Sequence, residues 1–517
     1  MLIFIPTSGL GSRLGGLTKY TNKALLKIGD KPAISHIIDL YPDGEFVIAL
    51  GYLGDYVKQF LELAYPDKKF EFVYVDPYEG SGSSLLKSMS FAENNLQSPF
   101  IFNTCDTILT KAPPPPFTNW MACARSNKPD VFRTVSINKD NIIKINEKGE
   151  MNYDYAYTGV AGIYNYSEFW AELNNIIKIN SSTDLSDCHV FMNLLSNFNI
   201  KLWVVDDWHD TGTVETLNKT RRFFNREYNV LDKHEEAIYF LDDNVIKFFN
   251  DSSLCKNRVR RSTLLTGLIP KIISSSDNFY KYEFVQGKLL SHVITESRLE
   301  CLLDWAEKNL WLPSDIISLD FKIKCKHFYI DKTNQRLENY FEQINRQDEC
   351  NIINNIEIPK YKDIFNKIDW ERLCSSQPTM FHGDFILDNI LYKDDGFVLL
   401  DWRQDFSGEI AAGDRYYDLA KFNHNLIFNH DIVSDNCFSI EFKNEMIFCD
   451  IHRSHNLTII QQKFIDLLEK RGYDLYKIKI LTPLIWLNMA PLHLYPLNKF
   501  LFYFGKYNLW RELCSCT

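Results

Sequence analysis

The run from His382 to Asp401, HGDFILDNILYKDDGFVLLD, sets a carboxylate, an amide and a second carboxylate in a fixed order. Asn389 stands five residues after Asp384, and an apolar run from Phe397 to Leu400 delivers Asp401, followed by Trp402. Phosphoryl transfer from a nucleotide to a hydroxyl needs these parts: a carboxylate to receive the hydroxyl's proton, and an amide plus another carboxylate to hold Mg²⁺ on the phosphates. Asp384 is therefore the candidate catalytic base, and Asn389 and Asp401 are the candidate metal ligands. A loop must carry the first two and a strand end the third, so that all reach one centre.

A second set of chemical residues lies at the other end of the chain. Ser8-Gly9-Leu10-Gly11-Ser12-Arg13-Leu14 follows the apolar run LIFIP, and Asn22-Lys23-Ala24-Leu25-Leu26 and Gly29-Asp30-Lys31-Pro32 come after it. Glycines there let the backbone approach a phosphate and offer N–H donors, while Arg13 adds a planar cationic fork. The elements that must position this loop are legible over residues 1–106. Strand-like runs LIFIPTS, EFVIALG, KFEFVYVD and FIFNTCD alternate with helical stretches at Pro32–Tyr41, Leu53–Tyr65 and Leu85–Ala92. That alternation predicts a mainly parallel sheet with helices on its faces, and ligands bind outside the carboxyl ends of such strands.

With these motifs the segment from residue 1 to about 225 resembles the sugar-phosphate nucleotidylyltransferases, which join a nucleoside monophosphate to a phosphorylated acceptor. The resemblance implies that Ser8, Gly9, Gly11 and Arg13 bind the phosphates of a nucleoside triphosphate and that Lys23 is catalytic. It also implies that Asp106, at the end of FIFNTCD, and Asp210, in Trp208-His209-Asp210-Thr211-Gly212-Thr213, hold Mg²⁺. Lys148, in a Glu-Lys-Gly that stands where the family has Glu-Lys-Pro, is the expected contact to the acceptor's phosphate. Tyr157 and Gly159 lie on the strand expected beside the acceptor. Gly80, Ser81 and Ser84, in the compact stretch Gly80-Ser81-Gly82-Ser83-Ser84-Leu85, are similar to the base-binding segment of phosphocholine cytidylyltransferases, which points to CTP.

The later stretch resembles the aminoglycoside phosphotransferase and choline kinase family. AIYFL and VIKFF flank the turn Asp242-Asp243-Asn244 and read as a hairpin. Lys247, in its second run, matches the strand lysine that grips nucleotide phosphates, and Glu283 lies in the run Tyr280–Gly287 expected as the hinge against adenine. Two family parts are missing. No glycine lies between Arg226 and Phe249, and no glutamate lies between Arg258 and Leu265 to pair with Lys247. Asp414 and Asp418, in Gly413-Asp414-Arg415-Tyr416-Tyr417-Asp418-Leu419-Ala420, are expected to brace the catalytic loop. Aromatics from Trp486 to Trp510 either pack a core or cage a quaternary ammonium; their helical spacing favours a core.

Bulk properties narrow the class. Fifty-seven Lys and Arg against 67 Asp and Glu give a net charge of −10 over 517 residues, which argues against a nucleic-acid binder. No apolar run reaches the length of a membrane span, Met1 leads straight into a strand, and 12 scattered cysteines suit reduced thiols in the cytoplasm. The expected fold is α/β: a Rossmann-like mixed-sheet nucleotidylyltransferase domain over 1–228 and a two-lobed, protein-kinase-like α+β domain over 229–517. Its small lobe is expected at about 229–290 and its large lobe at about 291–517. The expected function is bifunctional, with Mg²⁺ in both domains. ATP phosphorylates a small hydroxyl compound, and CTP, or another nucleoside triphosphate, then couples with that phosphate. An amino alcohol for surface glycans is the first expectation and a sugar or polyol the second. A nucleotidylyltransferase carrying a pseudokinase binding module is a further alternative.

Overall fold

Continuous apolar runs make strands that are covered on both faces, and this is how the chain begins. In the computed structural model, which describes residues 1–80, 82–180, 184–224, 235–394 and 396–515, Leu2–Pro6 (β1) is buried from Ile3 onward. It pairs in parallel with Glu45–Leu50 (β2) on one side and with Phe100–Asn103 (β4) on the other; Lys69–Tyr74 (β3) pairs in parallel beyond β2. Thr107–Leu109 (β5) leaves this sheet. Trp120–Ala124 (β6), Thr134–Asn138 (β7), Asn141–Asn146 (β8), Tyr155–Ile163 (β9) and Ile200–Val204 (β10) complete nine strands in the order β3-β2-β1-β4-β9-β6-β10-β8-β7. The predicted parallel half is present. The added half is largely antiparallel, with β9 running against both β4 and β6.

Helix α1, Gly54–Ala64, buries Val57, Phe60 and Leu61, the spacing of one helical face. A second sheet lies against it. Glu236–Leu241 (β12) and Asn244–Phe249 (β13) form the predicted hairpin, and Phe279–Glu283 (β15) and Ile272–Ser275 (β14) extend it. (The short strand Trp208–Asp210, β11, precedes them.) Side chains alternate across this sheet. Tyr239, Ile246, Phe248 and Phe279 join the core with Phe60, whose ring centroid lies 5.5 Å from Tyr239 and 6.0 Å from Phe279. Lys281 Nζ donates to Leu63 O at 2.9 Å, and Tyr239 Oη donates to Leu25 O at 2.7 Å.

The chain divides into two compact units, Met1–Cys255 with Ile272–Phe284, and Lys256–Lys271 with Val285–Thr517. The small lobe expected over 229–290 is therefore shared between the units, with its hairpin sheet in the first. The boundary placed at 228/229 lies outside the described residues.

The second unit is mainly helical. Ile390–Lys393 (β16) and Gly396–Leu399 (β17) form a hairpin between Asn389 and Asp401, with Lys288–Leu289 beside it. Its main helices include Lys332–Ile344 (α2), Arg415–Ile427 (α3), Leu475–Met489 (α4) and Leu497–Ser515 (α5). Phe500 stacks on Phe504 at 5.0 Å and on Phe428 at 5.2 Å, and Trp486 lies 4.7 Å from Phe504. These rings are buried against one another, so they fill a core and leave no cage among themselves. All described cysteines are free, and no described helix is long and apolar enough to cross a membrane.

Candidate active sites

Two carboxylates, a lysine and an arginine converge in the first unit although they lie far apart in the chain. Strand β4 ends at Asn103, and the turn after it presents Asp106. Strand β11 pairs antiparallel with β5, setting Asp210 opposite Thr107, and Thr211 N donates to Asp106 O at 2.9 Å. The meeting point lies at Gly212. A Cβ there would sit 3.2 Å from Arg13 Nη2, 3.2 Å from Asp210 Oδ1 and 3.5 Å from Asp106 Oδ2. Lys23 Nζ completes the group, 3.1 Å from Asp106 Oδ2.

Lys23 is held from behind. Asn22 Nδ2 donates to Thr7 O at 2.9 Å and to Tyr52 O at 2.6 Å, while its Oδ1 accepts from Ala24 N. That ties the start of Lys23–Leu25 to the end of β1. Burial works against the charge of both Lys23 and Asp106, but their mutual attraction prevails, raising the lysine's pKa and lowering the aspartate's. Arg13 lowers Asp106 further. Asp210 shifts the other way: burial raises it, and the neighbouring Asp106 adds to the effect, against hydrogen bonds from Thr216 and Gly212.

A pair of carboxylates is the chemistry Mg²⁺ uses when nucleotide phosphates supply the rest of its octahedron, and Asp106 and Asp210 fit that requirement. Among the described residues no group of three or more His, Cys, Asp and Glu side chains could cage a metal without such help.

After the glycine loop, Ser12–Thr18 is a 3-10 helix kinked at Gly15 rather than an aligned α-helix. Gly11 has φ 68°, and a Cβ there would press on Thr18 and Lys23 at 3.1 and 3.3 Å; around Gly9 there is open space. Ser8 Oγ donates to Ser88 Oγ at 3.1 Å.

The other expected residues of this unit are distributed unevenly. Gly80 borders open space, Ser84 caps the helix Leu85–Ser90 by accepting from Lys87 N, and Ser81 lies outside the described residues. Gly159, at φ 90°, lies so close to Asp106's turn that a Cβ would meet Thr104 Oγ1 at 2.7 Å. Tyr157 is buried, and its hydroxyl donates to Asp187 Oδ2 at 2.6 Å, so it braces the interior beneath its strand. Lys148 is exposed, next to Glu147, which pairs with Arg133. Lys247 is buried on the sheet face opposite Phe248, and Glu283 is exposed at the end of β15.

In the second unit the sequence spacing becomes a loop. Asn389 Nδ2 donates to both Asp384 O and Asp384 Oδ2 at 3.0 Å, so the amide locks the carboxylate's orientation. Lys421 Nζ lies 2.7 Å from Asp384 Oδ1. Burial opposes ionisation of Asp384, yet Lys421 carries its pKa down to about 2. Asp418 sits beneath: His382 N and Gly383 N donate to its two carboxylate oxygens at 2.7 Å, and Trp311 Nε1 donates at 3.0 Å. Asp414 caps α3 and accepts from Tyr329 Oη and Ser376 Oγ.

Asp401 follows β17 with φ 56° and pairs with Arg258. Asn389 and Asp401 are oxygen donors of the type Mg²⁺ prefers, but Arg258 shares the Asp401 carboxylate. Helix Ser252–Ser262 thus supplies an arginine to Asp401 where sequence reasoning looked for a glutamate to Lys247. Sequence reasoning also missed Lys421. Its one signal was its position three residues after Asp418 on the same helix, which places it over the same loop.

No protein-family model and no curated protein matches the sequence. Among solved structures, a glucose-1-phosphate thymidylyltransferase from Bacillus anthracis is similar at 21% identity and TM-score 0.38, covering 45% of this chain and 98% of that one. A CTP:phosphocholine cytidylyltransferase from Streptococcus pneumoniae is similar at 17% identity and TM-score 0.36, over 43% and 98%. An inositol-1-phosphate CTP transferase from T. maritima shares 16% identity at TM-score 0.36, over 44% and 98%.

Proposed function

We propose that the first unit is a nucleotidylyltransferase and that the second phosphorylates the compound the first activates. The observation that carries the first half is the convergence of Asp106, Asp210 and Arg13 on one point, with Lys23 paired to Asp106. An acceptor phosphate oxygen attacks the α-phosphorus of a nucleoside triphosphate, the bond to the β-phosphate breaks, and pyrophosphate leaves. The loop amides at Gly9 and Gly11 and the Arg13 guanidinium orient the triphosphate. Lys23 stabilises negative charge that grows on the α-phosphoryl oxygens. Mg²⁺, when bound by Asp106 and Asp210, neutralises the triphosphate.

In the second unit Asp384, oriented by Asn389, accepts the proton of the acceptor hydroxyl as the hydroxyl oxygen bonds to the γ-phosphorus of ATP, the bond from that phosphorus to the β,γ-bridging oxygen breaks, and ADP leaves. CTP is the proposed substrate of the first unit, with Gly80 to Leu85 beside the base and Lys148 and Gly159 on the acceptor side. A second reading has its own observation. Arg258 on Asp401 sets a cation where the phosphotransferase needs Mg²⁺, which suits a binding module that transfers nothing.

One assay on the full chain separates these readings. ATP, Mg²⁺ and a panel of hydroxyl compounds should yield ADP with at least one acceptor, and CTP should then yield pyrophosphate. ATP turnover that stays at background with every acceptor, while pyrophosphate is released from supplied phosphorylated acceptors, would select the binding-module reading.

A further inference from the structure

Lys332, Arg336 and Arg403 gather beside Lys421, the lysine paired with Asp384, and few acids answer them. Lys332 and Arg336 lie one turn apart on α2, so they share a face; Tyr417 and Lys421 do the same on α3. Lys332 Nζ and Arg403 Cζ approach one ring, that of Phe328, at 4.2 and 4.9 Å from its centroid. Tyr417 meets that ring edge-on at 4.9 Å. Arg403 packs on the catalytic loop itself: a Cβ on Gly383 would overlap its side chain, and Arg403 N donates to His382 O at 3.0 Å.

All four cationic side chains are half-buried. Lys421 has Asp384, and Asp405 acts on Lys332 at longer range; Arg336 Nη1 donates only to a carbonyl, Asn488 O. Among the described residues Lys332, Arg336 and Arg403 have no carboxylate within ion-pair distance. Burial, with Arg403 and Arg336 next in effect, pushes the Lys332 ammonium down to about 5, so near neutral pH the amine holds its proton only when an anion binds beside it.

We infer that the compound phosphorylated at Asp384 is an anion, a small hydroxyl compound whose carboxylate or phosphate is held by Lys332, Arg336 and Arg403. This rests on the phosphotransferase reading and narrows its acceptor. Arg336 and Arg403 act on one another and on Lys332 as like charges, and a bound anion offsets that repulsion and restores the lysine's proton. Their position fits the acceptor: Lys421 touches the base, and the base must touch the acceptor's hydroxyl. A quaternary ammonium is disfavoured here, because the ring that would receive it already has a lysine and an arginine against it.

The test compares glycerate and glycerol phosphate with glycerol and choline as acceptors for ATP in the full-length protein. An anion should be preferred over glycerol in kcat/KM by roughly tenfold or more. Lys332→Gln should remove most of that preference by raising KM for the anion, and Lys332→Arg should keep it. A preference for choline or glycerol would overturn the inference. So would a Lys332→Gln variant whose KM for ATP rises alike with every acceptor, since the cluster would then grip the nucleotide. Calorimetric binding of glycerate and glycerol phosphate provides a second readout. Binding weakened by Lys332→Gln without ATP turnover would uphold the anion site and reject the phosphotransferase reading; no binding of either anion and no anion turnover would reject the site.

Discussion

Lys23 and Asp106 are separated by 83 residues and meet at 3.1 Å. A cation aimed at developing charge lowers the barrier more than it tightens the ground state. Lys23→Ala should therefore cut kcat for pyrophosphate release about 10²-fold or more while changing KM for the triphosphate only a few-fold. Steady-state kinetics check this, and a rise in KM alone would assign Lys23 to binding. Asp384→Asn should lower phosphorylation on the order of 10²-fold or more and leave pyrophosphate release from a supplied phosphorylated acceptor unchanged. At this scale the sequence was informative wherever a motif is local. Asp384 and Asn389 lie together on one loop as their spacing suggested, and the hydrogen bond between them was not foreseen. Arg258, 143 residues from Asp401, carried no signal, because tertiary contact alone brings it to that carboxylate.

At the scale of elements, Asp418 shows how a helix holds the His-Gly-Asp loop. Both of its oxygens accept backbone N–H groups from the His-Gly-Asp turn, and burial raises its pKa to about 6 against those hydrogen bonds. Asp418→Asn keeps one oxygen acceptor and puts an NH₂ where the other was, so one buried N–H loses its partner at a cost of about 1–3 kcal/mol. The variant should melt earlier in a thermal scan and phosphorylate more slowly, with pyrophosphate release retained; unchanged melting would remove Asp418 from this bracing role. Strand-helix alternation and the hairpin Glu236–Phe249 were legible because periodicity reports which face of an element is apolar. It does not report what covers that face, which is why the packing of this sheet on Phe60 was not foreseen.

For the whole molecule, the net charge of −10 and the pattern of motifs indicated an enzyme acting on small molecules; Lys23, Asp106 and Asp210 fall in the first unit and Asp384, Asn389 and Asp401 in the second, while Lys247 and Glu283 fall in the first. Nucleotide choice belongs to this scale. CTP should exceed UTP, ATP and GTP in kcat/KM for pyrophosphate release, and a preference for UTP would move the acceptor toward a sugar phosphate while leaving Lys23, Asp106 and Asp210 in their roles. On the proposed function, two separate sites act in sequence. Mass spectrometry of the product formed from an acceptor, ATP, CTP and Mg²⁺ by the wild type, Asp106→Ala and Asp401→Ala tests it most directly. The wild type should give the nucleotide-linked acceptor, Asp106→Ala should stop at the phosphorylated acceptor, and Asp401→Ala should form neither until that phosphorylated acceptor is supplied. If Asp106→Ala, still folded, also failed to phosphorylate the acceptor, or if folded Asp401→Ala failed to use the supplied phosphate, two independent sites would be contradicted.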